Sequence, residues 1–213
     1  MTSDDRAPTA SESHDYHFVT NWRVEASCGE VADILGNPVE LPRWWPSVYL
    51  AVEELAPPGP GGVGRRVRLH TKGWLPYTLR WELTVVESNY PYGSTIEARG
   101  DFDGRGVWKF VQDGPFVDIA YDWRIRAEKP LLRNLSFLLK PLFEANHRWA
   151  MAQGEQSLKL ELLRRRAFSD ESRAAIPAPP GPVTYSAAAI VSAAALAGAG
   201  LAYLLIRSRR GRR

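Results

Sequence analysis

Cysteine is almost absent, with Cys28 the only one in 213 residues. No intrachain disulfide can form, and no cysteine-based metal site can be built. Histidine is nearly as scarce. His14 lies in a polar leader, and strand alternation puts His17 and His70 on wet faces. His147 stands three residues after Glu144. That spacing lets one metal ion meet both side chains, yet no third ligand stands out. A solvated helix face is therefore the expectation for His147, with no metal and no cofactor. Nucleophile motifs are missing too. There is no Gly-x-Ser-x-Gly turn, and Cys28 sits at a helix start without an evident histidine partner. The glycines from Gly59 to Gly64 lack the Lys-Ser/Thr that a phosphate loop needs, so a hairpin loop explains them.

Acidic residues stop at Glu171, and five of the 27 basic residues lie in the last seven positions. The remainder therefore carries 22 basic against 24 acidic residues. The basic balance belongs to the tail, and nothing argues for nucleic-acid binding. Charge is missing altogether from the 23 residues Thr184 to Ile206. A helix of that length spans roughly 34 Å, enough to cross a hydrocarbon core of about 30 Å. Tyr185 and Tyr203 sit near its two ends, where an aromatic belt belongs. Ala194, Gly198 and Ala202 form a small-residue row that permits a weak homodimer. The competing reading is a buried Ala-rich helix or a disordered tail, since nine of the 23 residues are alanine.

These shifts divide the chain into a disordered leader (1–15), a folded domain (16–166), a Pro-rich linker (167–183), a transmembrane helix (184–206) and a basic tail (207–213). The leader lacks the basic and apolar parts of an export signal. The arginine tail prefers the cytoplasm, which would put the domain outside. Nothing N-terminal would export it, and Arg164 to Arg166 with Arg173 supply a basic counterweight. A single-pass membrane protein with its domain on the cytoplasmic side is expected.

Within the domain, His17 to Glu25 alternates as a strand. Ser27 and Glu30 make a capping box for a short helix, Cys28 to Leu35, which Gly36 ends. A second helical turn lies between Asn37 and Pro46. Six strands follow: Val48 to Leu55, Gly64 to Thr71, Thr78 to Glu87, Ser94 to Gly100, Gly104 to Gln112 and Phe116 to Ala127. One apolar and one charged face per strand indicates an antiparallel sheet covered on a single side. Leu131 to Lys140 reads as a short helix or lid, and Pro141 opens a long helix to about Arg166. Leu142, Ala145, Trp149, Gln153, Gln156, Leu160 and Leu163 fall near one face of it, with Met151 and Leu158 beside them.

The order of elements carries specific residues: Val31-Ala32-Asp33-Ile34-Leu35, Trp44-Trp45-Pro46-Ser47-Val48, Gly62-Val63-Gly64, and the stretch from Phe143 to Gly154. Together they resemble the START-like helix-grip superfamily (SRPBCC), in its polyketide cyclase/dehydrase branch, over roughly Tyr16 to Arg166. The resemblance implies an α+β fold with a curved antiparallel sheet wrapped on the long helix. It also implies a deep apolar cavity between them for a lipid, polyketide, sterol or quinone-like ligand. It carries over no catalytic set. Strand alternation nominates Leu69, Leu79, Trp81, Ile96, Trp108, Phe110, Ile119, Tyr121, Trp123 and Trp149 as cavity lining, against the plainer reading that they fill a core. Three functions compete: binding or transfer of an apolar ligand beside a bilayer, a cyclase or dehydrase, and an interaction platform with a filled cavity. An enzyme needs ionisable groups inside. The inward set contains almost none, with Tyr121 its candidate and Gln153 only a polar, non-ionisable amide, which favours binding.

Overall fold

The computed structural model describes residues 15–127 and 130–185. The chain divides into two units, Met1–Pro182 and Val183–Arg213, and the fold below belongs to the first. The expected leader, basic tail and nearly all of the expected span lie outside the described residues. Among the described residues, no helix is long and apolar enough to cross a membrane.

The sheet has seven antiparallel strands. They are β1 (Asp15–Glu25), β2 (Tyr49–Ala56), β3 (Arg66–Lys72), β4 (Thr78–Asn89), β5 (Gly93–Gly100), β6 (Phe102–Asp113) and β7 (Phe116–Ala127). Their order is β1-β7-β6-β5-β4-β3-β2, a meander with the first strand returned to its last member. Asp113 pairs with Phe116, so β6 and β7 turn on Gly114 and Pro115 alone. Gly114 supplies the positive φ of 56° that this short turn demands.

Alternation explains the two faces. On β7, Val117, Ile119, Tyr121 and Trp123 are buried. Asp118 accepts a hydrogen bond from Arg23 of β1 at 2.6 Å, and Asp122 pairs with His17 of β1 at 3.1 Å. These outer-face pairs are half-exposed and add little stability each. The inner face holds an aromatic-rich core, with a smaller cluster around Tyr16.

Helix α1 (Cys28–Leu35) has the expected capping box. Glu30 N–H donates to Ser27 Oγ at 3.2 Å, and Ser27 N–H donates to Glu30 Oε2 at 2.8 Å. Gly36 ends the helix with ordinary right-handed angles rather than a left-handed turn. A 3-10 turn (Pro38–Glu40) and the one-turn helix α2 (Leu41–Trp44) follow.

Two expectations about the last helix are corrected. Helix α3 runs unbroken from Pro130 to Arg166, with Pro141 inside it rather than at its start. Pro141 lies on the exposed side, where losing one amide donor costs least. The inward face is also rotated from the leucine-based reading. Leu142 and Leu163 are exposed, as is Gln156. Gly154, Ser157, Glu161 and Leu162 are buried instead, together with Met151 and Leu158, which were expected beside that face. Small residues explain the rotation. A side chain at Gly154 would run into the ring of Trp45, so the glycine lets the helix backbone approach that ring.

Glu161 is buried although charged, with a side chain only 1% exposed. Arg43 of α2 grips both its oxygens, at 2.7 and 2.9 Å, and Arg165 adds a bond at 2.8 Å. Burial alone would raise this carboxyl, but the hydrogen bonds from Arg43 and Arg165 prevail and hold it below the usual range. Arg166 reaches Glu30 at 2.7 Å and lowers its carboxyl to about 2, chiefly through that bond. Arg164 bonds the Pro177 carbonyl. Within the expected linker, a short capped helix α4 (Asp170–Ala174) replaces part of the extended chain.

Candidate functional site

Among the described residues, the grip of sheet on helix leaves cavities of about 160 and 490 Å³. The smaller lies under the first described part of α3. Its walls include Tyr16 and Phe18 of β1, Leu79 of β4, Trp123 and Ile125 of β7, and Phe143, His147 and Ala150 of α3. The larger lies toward α1. Leu83, Val85, Ile96, Trp108 and Phe110 form its sheet side, and Ala32, Leu35, Pro38 and Leu41 form its other wall. Trp45, Tyr49, Trp81, Tyr121 and Met151 belong to both cavities.

Close packing of aromatic rings shapes the walls. Trp108 stacks on Tyr121 at 3.9 Å, and Tyr121 on Trp123 at 5.5 Å. Space for the Tyr121 and Trp123 rings comes from Gly106 of β6, where any side chain would strike both. Trp45 meets Tyr49 edge-on at 5.1 Å. Trp81 is fixed by its indole N–H, which donates to Thr71 Oγ1 at 3.1 Å. The β3–β4 loop is held to the helix by Asn146, whose Oδ1 accepts from the Leu75 amide at 3.1 Å.

Seven of the ten nominated residues line a cavity: Leu79, Trp81, Ile96, Trp108, Phe110, Tyr121 and Trp123. Leu69 and Ile119 do not. They are 0% and 2% exposed and belong to the packed core. Trp149 is also displaced. It packs half-buried against the core and is absent from both sets of described lining residues. The helix turns about 100° per residue, so a wall made by Ala150 and Met151 carries Trp149 off to the side.

His147 corrects a further expectation, because it is not on a solvated face. Its ring stacks on Phe18 at 4.1 Å and forms part of the smaller cavity's wall. Its Nε2 is buried without a hydrogen-bond partner. Burial, with Arg148 assisting, lowers its pKa to about 4, so the imidazole is neutral at pH 7. Tyr49 was missed because it opens its strand beside the Trp44-Trp45-Pro46 turn, outside the clean alternation. Burial pushes the Tyr49 phenol up, and burial together with Tyr49 does the same for Tyr121. Both stay protonated at neutral pH. The arrangement offers an apolar, aromatic enclosure with two phenols among the residues that line both cavities.

Residues 16–162 match the sequence profile of the family described as polyketide cyclase / dehydrase and lipid transport. The chain belongs to that family. Among solved structures it is similar to a protein of Thermus thermophilus (TM-score 0.58, 16% identity, 71% of this chain and 100% of that one). It is similar too to the Zhui aromatase/cyclase of Streptomyces sp. R1128 (TM-score 0.57, 16% identity, 74% and 99%). The di-domain ARO/CYC BexL of the BE-7585A biosynthetic pathway is a third likeness (TM-score 0.52, 14% identity, 79% and 52%), so this chain spans about half of that protein. At such identities the likeness is one of fold, and it agrees with the helix-grip architecture. No curated protein sequence matches the chain.

Proposed function

We propose that this family member binds an apolar or amphipathic small molecule, of lipid, polyketide or quinone-like character, without turning it over. One observation carries the reading: the space between sheet and helix is open and walled by aromatic and aliphatic side chains. A filled interaction platform would leave no such space. The apolar segment 184–206 completes the proposal as a membrane anchor, with the domain on the cytoplasmic side. A tether of that kind raises the local concentration of a ligand dissolved in the bilayer.

A cyclase or dehydrase is the second reading. The protonated phenols of Tyr49 and Tyr121 favour it, as does the neutral imidazole of His147, because all three belong to the cavity walls. One experiment separates the readings. The full chain is purified in detergent and extracted with organic solvent, and the extract is analysed by mass spectrometry. The extracted compound is then incubated with fresh protein. Stoichiometric recovery of an unchanged apolar molecule is the expected result. A covalently altered product would transfer the proposal to the enzyme. Release of the chain from membranes by carbonate washing would remove the anchor.

A further inference from the structure

We propose that Tyr49 and Tyr121 form a two-phenol pincer that holds one neutral carbonyl oxygen, so that the ligand is a ketone or a quinone. This rests on the binding reading above and names the chemical group that the site selects.

Topology brings the two phenols together. Tyr49 opens β2, the strand at one edge of the sheet, and Tyr121 lies in β7, with β6, β5, β4 and β3 between them. Only the curvature of the sheet puts both in the wall of the larger cavity. They are near enough that Tyr49 acts electrostatically on Tyr121. Both rings are held in place. Tyr121 stacks on Trp108 and on Trp123, and its hydroxyl occupies the space that a side chain at Gly106 would take. Trp45 meets the Tyr49 ring edge-on at 5.1 Å.

The two hydroxyls are uncommitted. Among the described residues, neither has a hydrogen-bond partner, and neither is sealed into the packing as Trp45 Nε1 is. Each therefore opens on cavity space with a proton to donate. The surroundings decide what can receive it. The ring neighbours are Trp45, Trp108 and Trp123, and an indole N–H donates without accepting. A ligand hydroxyl would bring one more donor to a place already rich in them. An anion would be stripped of water without a counter-charge, since burial and the neighbouring phenol account for the raised pKa values of both tyrosines. A carbonyl oxygen meets every condition. It is neutral, donates nothing, and has two lone pairs, one for each phenol.

9-Fluorenone, 9-fluorenol and fluorene share one flat frame and differ at a single carbon, which carries a carbonyl, a hydroxyl or neither. Each is offered to the full chain in equilibrium dialysis, with protein-free micelles as the blank. Taking a carbonyl out of water costs free energy, so a purely apolar enclosure prefers fluorene. The pincer predicts the reverse: fluorenone binds about tenfold tighter than fluorene, with fluorenol between them. The infrared stretch of the bound fluorenone carbonyl should fall below its frequency in an apolar solvent. Tyr49→Phe and Tyr121→Phe each delete one hydroxyl and keep the ring. Each should weaken fluorenone several-fold and leave fluorene unchanged, and the double variant should erase the preference. Thermal melts verify folding, and the infrared band of the unaltered protein decides the matter if a variant does not fold. Fluorene binding as tightly as fluorenone, fluorenol binding tightest, an unshifted carbonyl band, or a preference that survives the double variant or answers to one tyrosine alone overturns the pincer and spares the cavity. Failure of all three probes to bind overturns the binding reading as well.

Discussion

Removing Arg43 should loosen the cavity from a distance, and the size of the effect is open to calculation. Arg43 is half-exposed, but its partner Glu161 is 1% exposed and keeps only Arg165 when Arg43 is lost. Taking one partner from a buried ion pair costs about 3–5 kcal/mol. The remaining arginine reduces that, so Arg43→Met should lose about 2–3 kcal/mol at pH 7. The accompanying bond from Arg43 to Glu40 lies at the surface and adds under about 1 kcal/mol. The dependence on pH has a definite sign. The folded Glu161 carboxyl is held below its unfolded range, so its contribution is present above about pH 4.3 and fades as pH falls through the folded value. Urea denaturation of wild type and variant at pH 7 and pH 3.5 should therefore show a gap that narrows in acid. Trp45 lies two residues from Arg43 and lines both cavities. Affinity for retinol, used as an apolar probe of the cavities, should therefore fall in the same variant. A loss below about 1 kcal/mol at pH 7, or an equal loss at both pH values, would refute the clamp.

Gly154→Leu should force the Trp45 ring away from α3, costing roughly 1–3 kcal/mol and reducing retinol affinity; equilibrium denaturation and fluorescence titration measure the two effects, and an unshifted urea midpoint would contradict the packing described. His147 is held neutral, with a folded pKa of about 4 against about 6.5 unfolded. Its contribution is full above about pH 6.5 and is lost as pH falls toward 4, by up to roughly 3 kcal/mol. His147→Phe keeps the stack on Phe18 and should flatten stability between pH 7 and pH 5; unfolding curves across that range test it, and an unchanged slope would argue against a buried neutral imidazole.

Strands were the legible part of the sequence, because a period of two and one charged face survive in almost every one of them. The capping box at Ser27 and Glu30 was equally plain. The inner face of α3 was not, because it was read from leucines. What decides that face is what a helix can bring close: Gly154 beneath Trp45, and Glu161 rendered harmless by arginines, one of them 118 residues away in sequence. No local pattern records a partner at that distance. The same limit applies to the lining. Leu79, Trp81 and Trp123 follow from alternation, which says which way a side chain points. Alternation does not say whether space remains above it, and so Leu69 and Ile119 looked equivalent to them. His147 had an ordinary helical neighbourhood in sequence, and only the aromatic floor under it shows its burial.

Strand order has a consequence for how the chain reaches this structure. From β2 to β7, every pairing joins strands that follow one another, so each can form by closing a short connection. The pairing of β1 with β7 is different, bringing Asp15 against Arg126 across nearly the whole domain. Loop-closure entropy is paid before such a contact returns anything, so distant pairings form late. Yet β1 supplies Trp22 and Val24 to the core, and Trp22 leans on both Trp45 and Trp108. The aromatic box is therefore complete only after the two ends of the sheet meet. Until then its tryptophans face water, and a chain still emerging from the ribosome must carry that surface until β7 and then α3 are made.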